Sequence, residues 1–122
     1  MSRKSVLIVS VLFISIIACR KKTELPESDC SRISPQWSGD IVPLLAKYCT
    51  DSSFGGCHQS GSQYGDWTDY AQFKYKVDGG HVNEHCLEKD EMPPAYTKGP
   101  RPLKTSEKQM LRCWIENGAK EN

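Results

Sequence analysis

The sequence predicts a small all-α domain of three main helices joined by long loops. Three observations carry that expectation. Apolar residues recur at helical spacing in three separate stretches: Ile41, Leu44, Leu45 and Tyr48; Tyr70, Phe73 and Val77; and Leu111, Trp114 and Ile115. No stretch of useful length alternates apolar and polar residues as a half-buried strand does. The segments between the three stretches are rich in Gly, Ser and Pro, which interrupt regular structure.

A chain of 122 residues allows one small domain. Its apolar residues are unevenly spread, with 12 of them in the first 18 positions. What remains is thin for a core held by burial alone. Such a domain needs a staple: disulfides, a metal, or a large apolar cofactor. Six cysteines are available for that work. A net charge of +1 provides no basic excess, so neither nucleic acid nor an anionic membrane surface is an expected partner.

The first eighteen residues read as a signal peptide. Arg3 and Lys4 form a short positive start, and Val6 to Ala18 is an apolar run broken only by Ser10 and Ser15. That run is short for a bilayer span and fits a secretion leader. It ends in Ile16-Ile17-Ala18-Cys19, which resembles a bacterial lipobox. The resemblance implies cleavage before Cys19 and lipidation of its thiol, giving a membrane anchor in the cell envelope. Residues 19–35 read as a lipidated tether, with Arg20, Lys21, Lys22, Pro26, Ser28, Asp29 and Ser31 and little apolar content. The structured domain is expected over 36–122. Outside the cytoplasm, disulfides and covalent haem attachment are both open to it.

Ser38 is a candidate cap for the first helix, with Asp40 in its first turn and Pro43 early enough to be tolerated. This helix delivers Cys49 at its end. Residues 51–66 are rich in Ser and Gly and read as loop. Thr68 is expected to cap the second helix, and Gly79-Gly80 to end it. A brief helical turn is expected from Val82 to Glu88. Pro93, Pro94, Pro100 and Pro102 keep the next segment irregular. Thr105 is expected to cap the last helix, which Gly118 stops.

The strongest local signal is Cys49 followed by Cys57-His58. A Cys-His dipeptide with a cysteine shortly before it points to covalent haem attachment. Two thiols fix the porphyrin edge, and the adjacent histidine supplies an axial nitrogen. Met92-Pro93-Pro94 is the candidate second ligand, because a thioether in a proline-stiffened loop is presented at low entropic cost. His81 and His85 lie four apart, share a helix face, and rank below Met92 as alternatives. Their spacing matches no compact zinc motif.

Taken in order, these pieces resemble the small monohaem cytochrome c-like domains of bacterial envelope lipoproteins. The matching residues are Ile41-Val42-Pro43-Leu44-Leu45, Cys49, Cys57-His58, Gly65 to Tyr70, Met92-Pro93-Pro94, and Cys113-Trp114-Ile115-Glu116-Asn117-Gly118-Ala119. The resemblance covers roughly 36–122. It implies one haem c clasped by three main helices, with the first and last packed together. His58 would be the proximal ligand, Met92 the distal one, and Cys49 and Cys57 the attachment thiols. It implies an electron carrier, not an enzyme, with envelope redox proteins as partners. Peroxidase-like chemistry would require the sixth position to be open, without Met92.

The chain departs from the usual motif in one place. Two residues normally separate the cysteines, and here there are seven. Such a gap demands an outward loop, which Ser52, Ser53, Gly55 and Gly56 suit. Three outcomes stay open: two thioethers, one thioether through Cys57, or a Cys49–Cys57 disulfide without haem. The last belongs to a different function class, a haem-free, disulfide-stabilised lipoprotein with a binding or structural role. Cys113 is expected in a disulfide with Cys30 or with Cys86. Cys30 is the slightly favoured partner, since a polar tether gives it no other reason to be there. For the anchor, Cys19→Ser is expected to release the protein from the membrane fraction; continued fractionation with lipid would reject the lipobox.

Overall fold

The computed structural model describes residues 29–122. The leader 1–18, the lipidation candidate Cys19 and most of the 19–35 tether lie outside the described residues. No strand occurs among the described residues, so the all-α expectation holds. None of their helices is long and apolar enough to cross a membrane.

The first helix, α1, is one continuous run over 37–50. It winds widely as π-helix at Trp37–Ile41 and again at Ala46–Thr50, with an α-helical centre at Val42–Leu45. Pro43 sits where the winding changes, which is where a residue lacking N–H is accommodated. Ile41, Leu44, Leu45 and Tyr48 are all buried, as their spacing requires. Ser38 does not cap this helix. The Asp40 carboxylate reaches back to accept from Gln36 N at 2.8 Å. Ser38 is the second residue of the helix and its Oγ donates to Asn122 O at 3.0 Å. A charged acceptor in the first turn does the work assigned to the hydroxyl.

The second helix, α2, spans Tyr70–Asp78. Its cap is Asp69, whose Oδ1 accepts from Gln72 N at 2.9 Å, not Thr68. Thr68 instead closes a turn, its N donating to Asp66 Oδ1 at 2.9 Å. Gly80, at φ +77°, turns the chain away after α2. A helical turn at Asn83–Glu88 follows, close to expectation. The last helix, α3, spans Thr105–Glu116. Thr105 is its first helical residue, not its cap. Glu107 Oε2 accepts from Lys104 N at 2.8 Å and closes that end.

An aromatic cluster joins the three helices. Trp37 of α1 stacks on Trp114 of α3 at 5.6 Å and on Phe73 of α2 at 5.7 Å, and Phe73 meets Trp114 at 5.8 Å. Rings in these arrangements add attraction beyond their buried area. Cys30 is disulfide-bonded to Cys113, 83 residues away, which fixes the pairing left open above and ties the start of the domain to α3. Cys86 is therefore not the partner of Cys113.

Glu107 also clamps α3 to α1. Its carboxylate accepts from Lys47 Nζ at 2.6 Å and from Tyr48 Oη at 2.5 Å. Burial opposes its ionisation, but the bonds from Lys47, Tyr48 and Lys104 N outweigh that and hold the carboxyl below the usual range. A carboxyl lowered on folding contributes stability above its unfolded value and loses it as pH falls through the folded one. Glu107→Ala is therefore expected to cost about 2 kcal/mol at neutral pH, and less as pH falls through the lowered value of the folded carboxyl, where the carboxylate of the clamp is lost. Urea unfolding at neutral pH and below that value checks this; an equal cost at both would remove the ionised clamp.

Candidate functional site

The site is built from the end of α1, the loop behind it, and the Met92 segment. Asp51 starts the loop, its Oδ1 accepting from Ser53 N at 2.7 Å over a short turn at Ser52–Phe54. Gly55 and Gly56 follow at φ +117° and +50°. This pair reverses the chain where side-chained residues would be strained. The reversal returns Cys57-His58 to the helix end, and His58 N donates to the Cys49 carbonyl at 3.1 Å. The seven-residue excursion is thus the outward loop its composition predicts. Trp67 N then donates to the His58 carbonyl at 2.8 Å.

Cys49, Cys57, His58 and Met92 line one hollow, together with Trp67 and Pro93. The four residues singled out in the sequence therefore come together. A larger cavity of about 700 Å³ opens beside it. His58 and Met92 line this one as well, with Trp67, Lys76, His81 and His85. Its size falls within the range of sites for drug- and cofactor-sized ligands.

His58 is half-buried and its Nδ1 has no hydrogen-bond partner. Burial lowers its pKa below 6.5, while the Tyr64 and Gly65 carbonyls pull it upward. The imidazole is neutral at pH 7 and keeps a lone pair for a ligand. Its ring lies on the Trp67 indole, centroids 3.6 Å apart and 16° from parallel. Trp67 Nε1 is likewise buried and unpartnered.

Met92 is half-buried against the core. Its backbone N and that of Glu91 both donate to the His85 carbonyl, at 3.1 and 2.9 Å. Glu91 Oε2 meets His85 Nδ1 at 2.6 Å. The methionine and the alternative ligand His85 are therefore parts of one clip. The buried Lys108 of α3 pairs with Asp90 and braces the same segment. His81 and His85 stack at 6.4 Å, on one face as expected. Among the described residues, no three His, Cys, Asp or Glu side chains are grouped to hold a metal ion.

Cys49 and Cys57 are not disulfide-bonded to each other; they are free thiols, as is Cys86. Burial of the Cys49 sulfur, with the Cys86 and Cys57 thiols nearby, pushes that thiol far above its ordinary range. Burial likewise pushes Cys86 up to about 12. Cys86 is the residue the sequence left unassigned. It lines the large cavity, and with Cys49 and Met92 it lines a further hollow against the core. The stacking of Trp67 on His58 also had no sequence signal, because a contact across eight intervening loop residues leaves no periodic trace.

No family model matches the chain, and neither a curated protein nor a solved structure matches it.

These environments order the thiols by reactivity, since the thiolate is the attacking form. In the haem-free protein, a thiol reagent at pH 8 is expected to label the partly exposed Cys57 and Cys49 well before the buried Cys86. Mass mapping of timed samples checks this; rapid labelling of Cys86 would contradict its burial.

Proposed function

We propose that residues 36–122 form a c-type haem domain that carries electrons in the bacterial cell envelope, held to a membrane through lipid on Cys19. The observation that carries this is the meeting of Cys49, Cys57, His58 and Met92 around one hollow beside a cavity of about 700 Å³. The residues fit the group: an imidazole with an unpartnered buried nitrogen and a thioether line the large cavity, and two free thiols line the hollow beside it. His58 and Met92 would hold the iron, and Cys57 and Cys49 the porphyrin edge. A haem iron so ligated cycles between two oxidation states, and a methionine ligand raises its potential.

The chain's own part is positioning and exclusion. Pro93 is buried and the His85 carbonyl holds Met92 N, so the thioether needs little further ordering. On the core side, Trp67, Phe73 and Leu111 line the further hollow that Cys49 and Met92 also reach, an apolar backing for those two side chains. No group is transferred, so the domain is a carrier whose partners are envelope redox proteins. Peroxidase-like activity belongs only to a form in which Met92 leaves the sixth position open. A second reading, a haem-free lipoprotein with a binding or structural role, draws support from the Cys30–Cys113 disulfide, which staples the fold without any cofactor.

The absorption spectrum of the reduced protein, made in a host with active haem-attachment machinery, decides between them. A sharp α-band that survives denaturation is expected. His58→Ala should prevent stable incorporation, and Met92→Ala should abolish the low-spin spectrum. A mature protein without haem rejects the carrier, and a low-spin spectrum unchanged in Met92→Ala removes Met92 as ligand.

A further inference from the structure

His58 is held twice by the same residue. Trp67 N donates to the His58 carbonyl at 2.8 Å, closing the loop between them. The Trp67 indole then lies flat on the imidazole, 3.6 Å between centroids and 16° from parallel. Trp67 itself is only 6% exposed, and the fully buried Phe73 braces it at 5.1 Å. Phe73 in turn packs on Trp37 and Trp114 of the aromatic cluster. The indole therefore cannot swing away without opening the core. Its position is set by the three helices, and the imidazole plane is set by the indole.

We propose that Trp67 is the positioning residue of His58, fixing the plane of the imidazole and stabilising positive charge on it through the stacked indole face. This rests on the haem reading above. The face of an aromatic ring carries the negative end of its quadrupole. It attracts a cationic group above it, and tryptophan does so most strongly. An imidazole bound to oxidised iron bears more positive charge than one bound to reduced iron. The stack therefore favours the oxidised state and holds the potential below the value that His58 and Met92 alone would set. It also restricts rotation of the imidazole, which a merely apolar neighbour would not.

Two variants of the full chain separate a stacking role from a filling role. Trp67→Leu keeps an apolar side chain and removes the ring face. Trp67→Phe keeps a face. In the haem-loaded protein, Trp67→Leu is expected to shift the one-electron equilibrium about threefold toward the reduced form, about 28 mV at ~59 mV per tenfold. Its low-spin electron paramagnetic resonance signal should change as the imidazole plane loosens. Trp67→Phe should recover most of both properties. A wild-type potential and resonance signal in both variants, or equal shifts in the two, would overturn the proposal.

A second measurement uses the haem-free chain. The ring protons of His58 should resonate upfield of their usual position under the indole ring current, and return downfield in Trp67→Leu. Ordinary shifts in the wild type would overturn the stack itself, even if Trp67→Leu did not fold. A wild-type chain that takes up no haem refutes the carrier function and the tuning role with it. Haem uptake with unchanged potentials refutes the tuning role alone.

Discussion

Two backbone hydrogen bonds govern the geometry of the site: His58 N to the Cys49 carbonyl at 3.1 Å, and Trp67 N to the His58 carbonyl at 2.8 Å. Each contributes only about 1 kcal/mol as a net interaction. Their effect is on geometry. The first returns the seven-residue excursion to the helix end it left, so Cys49 and Cys57 line the same hollow. The second brings the indole back over the imidazole. Without them, Gly55 and Gly56 would let the loop wander, and His58 would be one more exposed loop histidine. A rigid hinge point matters here because the four candidate side chains come from three separate segments.

The rest of the molecule is arranged to keep that hinge still. The aromatic cluster of Trp37, Phe73 and Trp114 fixes the relative placement of α1, α2 and α3. The Cys30–Cys113 disulfide and the Glu107 clamp join α3 to what precedes it at two further places. On the other wall, the Lys108–Asp90 pair and the His85 carbonyl hold the Met92 segment. α3 therefore serves both walls, through Trp114 toward His58 and through Lys108 toward Met92. Distance between the two candidate ligands is controlled by one helix.

Much of this was legible in the sequence, and the misses share a cause. The buried faces of α1, α2 and α3 followed from spacing, because burial on one side of a helix repeats with the turn. Residue type and order singled out four candidate residues, Cys49, Cys57, His58 and Met92, and the fold brings them to one hollow. The caps did not follow: Asp69 caps α2 in place of Thr68, while at the starts of α1 and α3 the carboxylates of Asp40 and Glu107 reach back to Gln36 N and Lys104 N, and Ser38 and Thr105 lie inside their helices. Hydroxyl and carboxylate caps compete within one or two residues, and a carboxylate next to the helix start has the stronger acceptor. The wide winding around Pro43 was also hidden, since the loss of one N–H does not say how the ladder closes around it. Cys86 and the Trp67 stack are tertiary facts. They depend on which loop folds over which helix, and residue spacing within either segment is silent on that.

The thin apolar supply and the large cavity are one property seen twice. A packed interior leaves few voids wider than a water molecule, and here the large side chains beside His58, Tyr64, Trp67 and Tyr75 among them, line the volume without filling it. Two solutions are physically open to such a fold. A flat apolar cofactor fills the space, turns the unpartnered His58 nitrogen into a ligand, and adds its own buried surface to the core. Alternatively the staples alone carry the stability, and the cavity is a cost offset by the disulfide and the clamp. The second solution explains Cys30 and Cys113 but gives no reason for two thiols, an imidazole and a thioether to share one hollow. The first supplies that reason, and it is consistent with the restraint on the Met92 segment from Pro93, the His85 carbonyl and the Lys108–Asp90 pair.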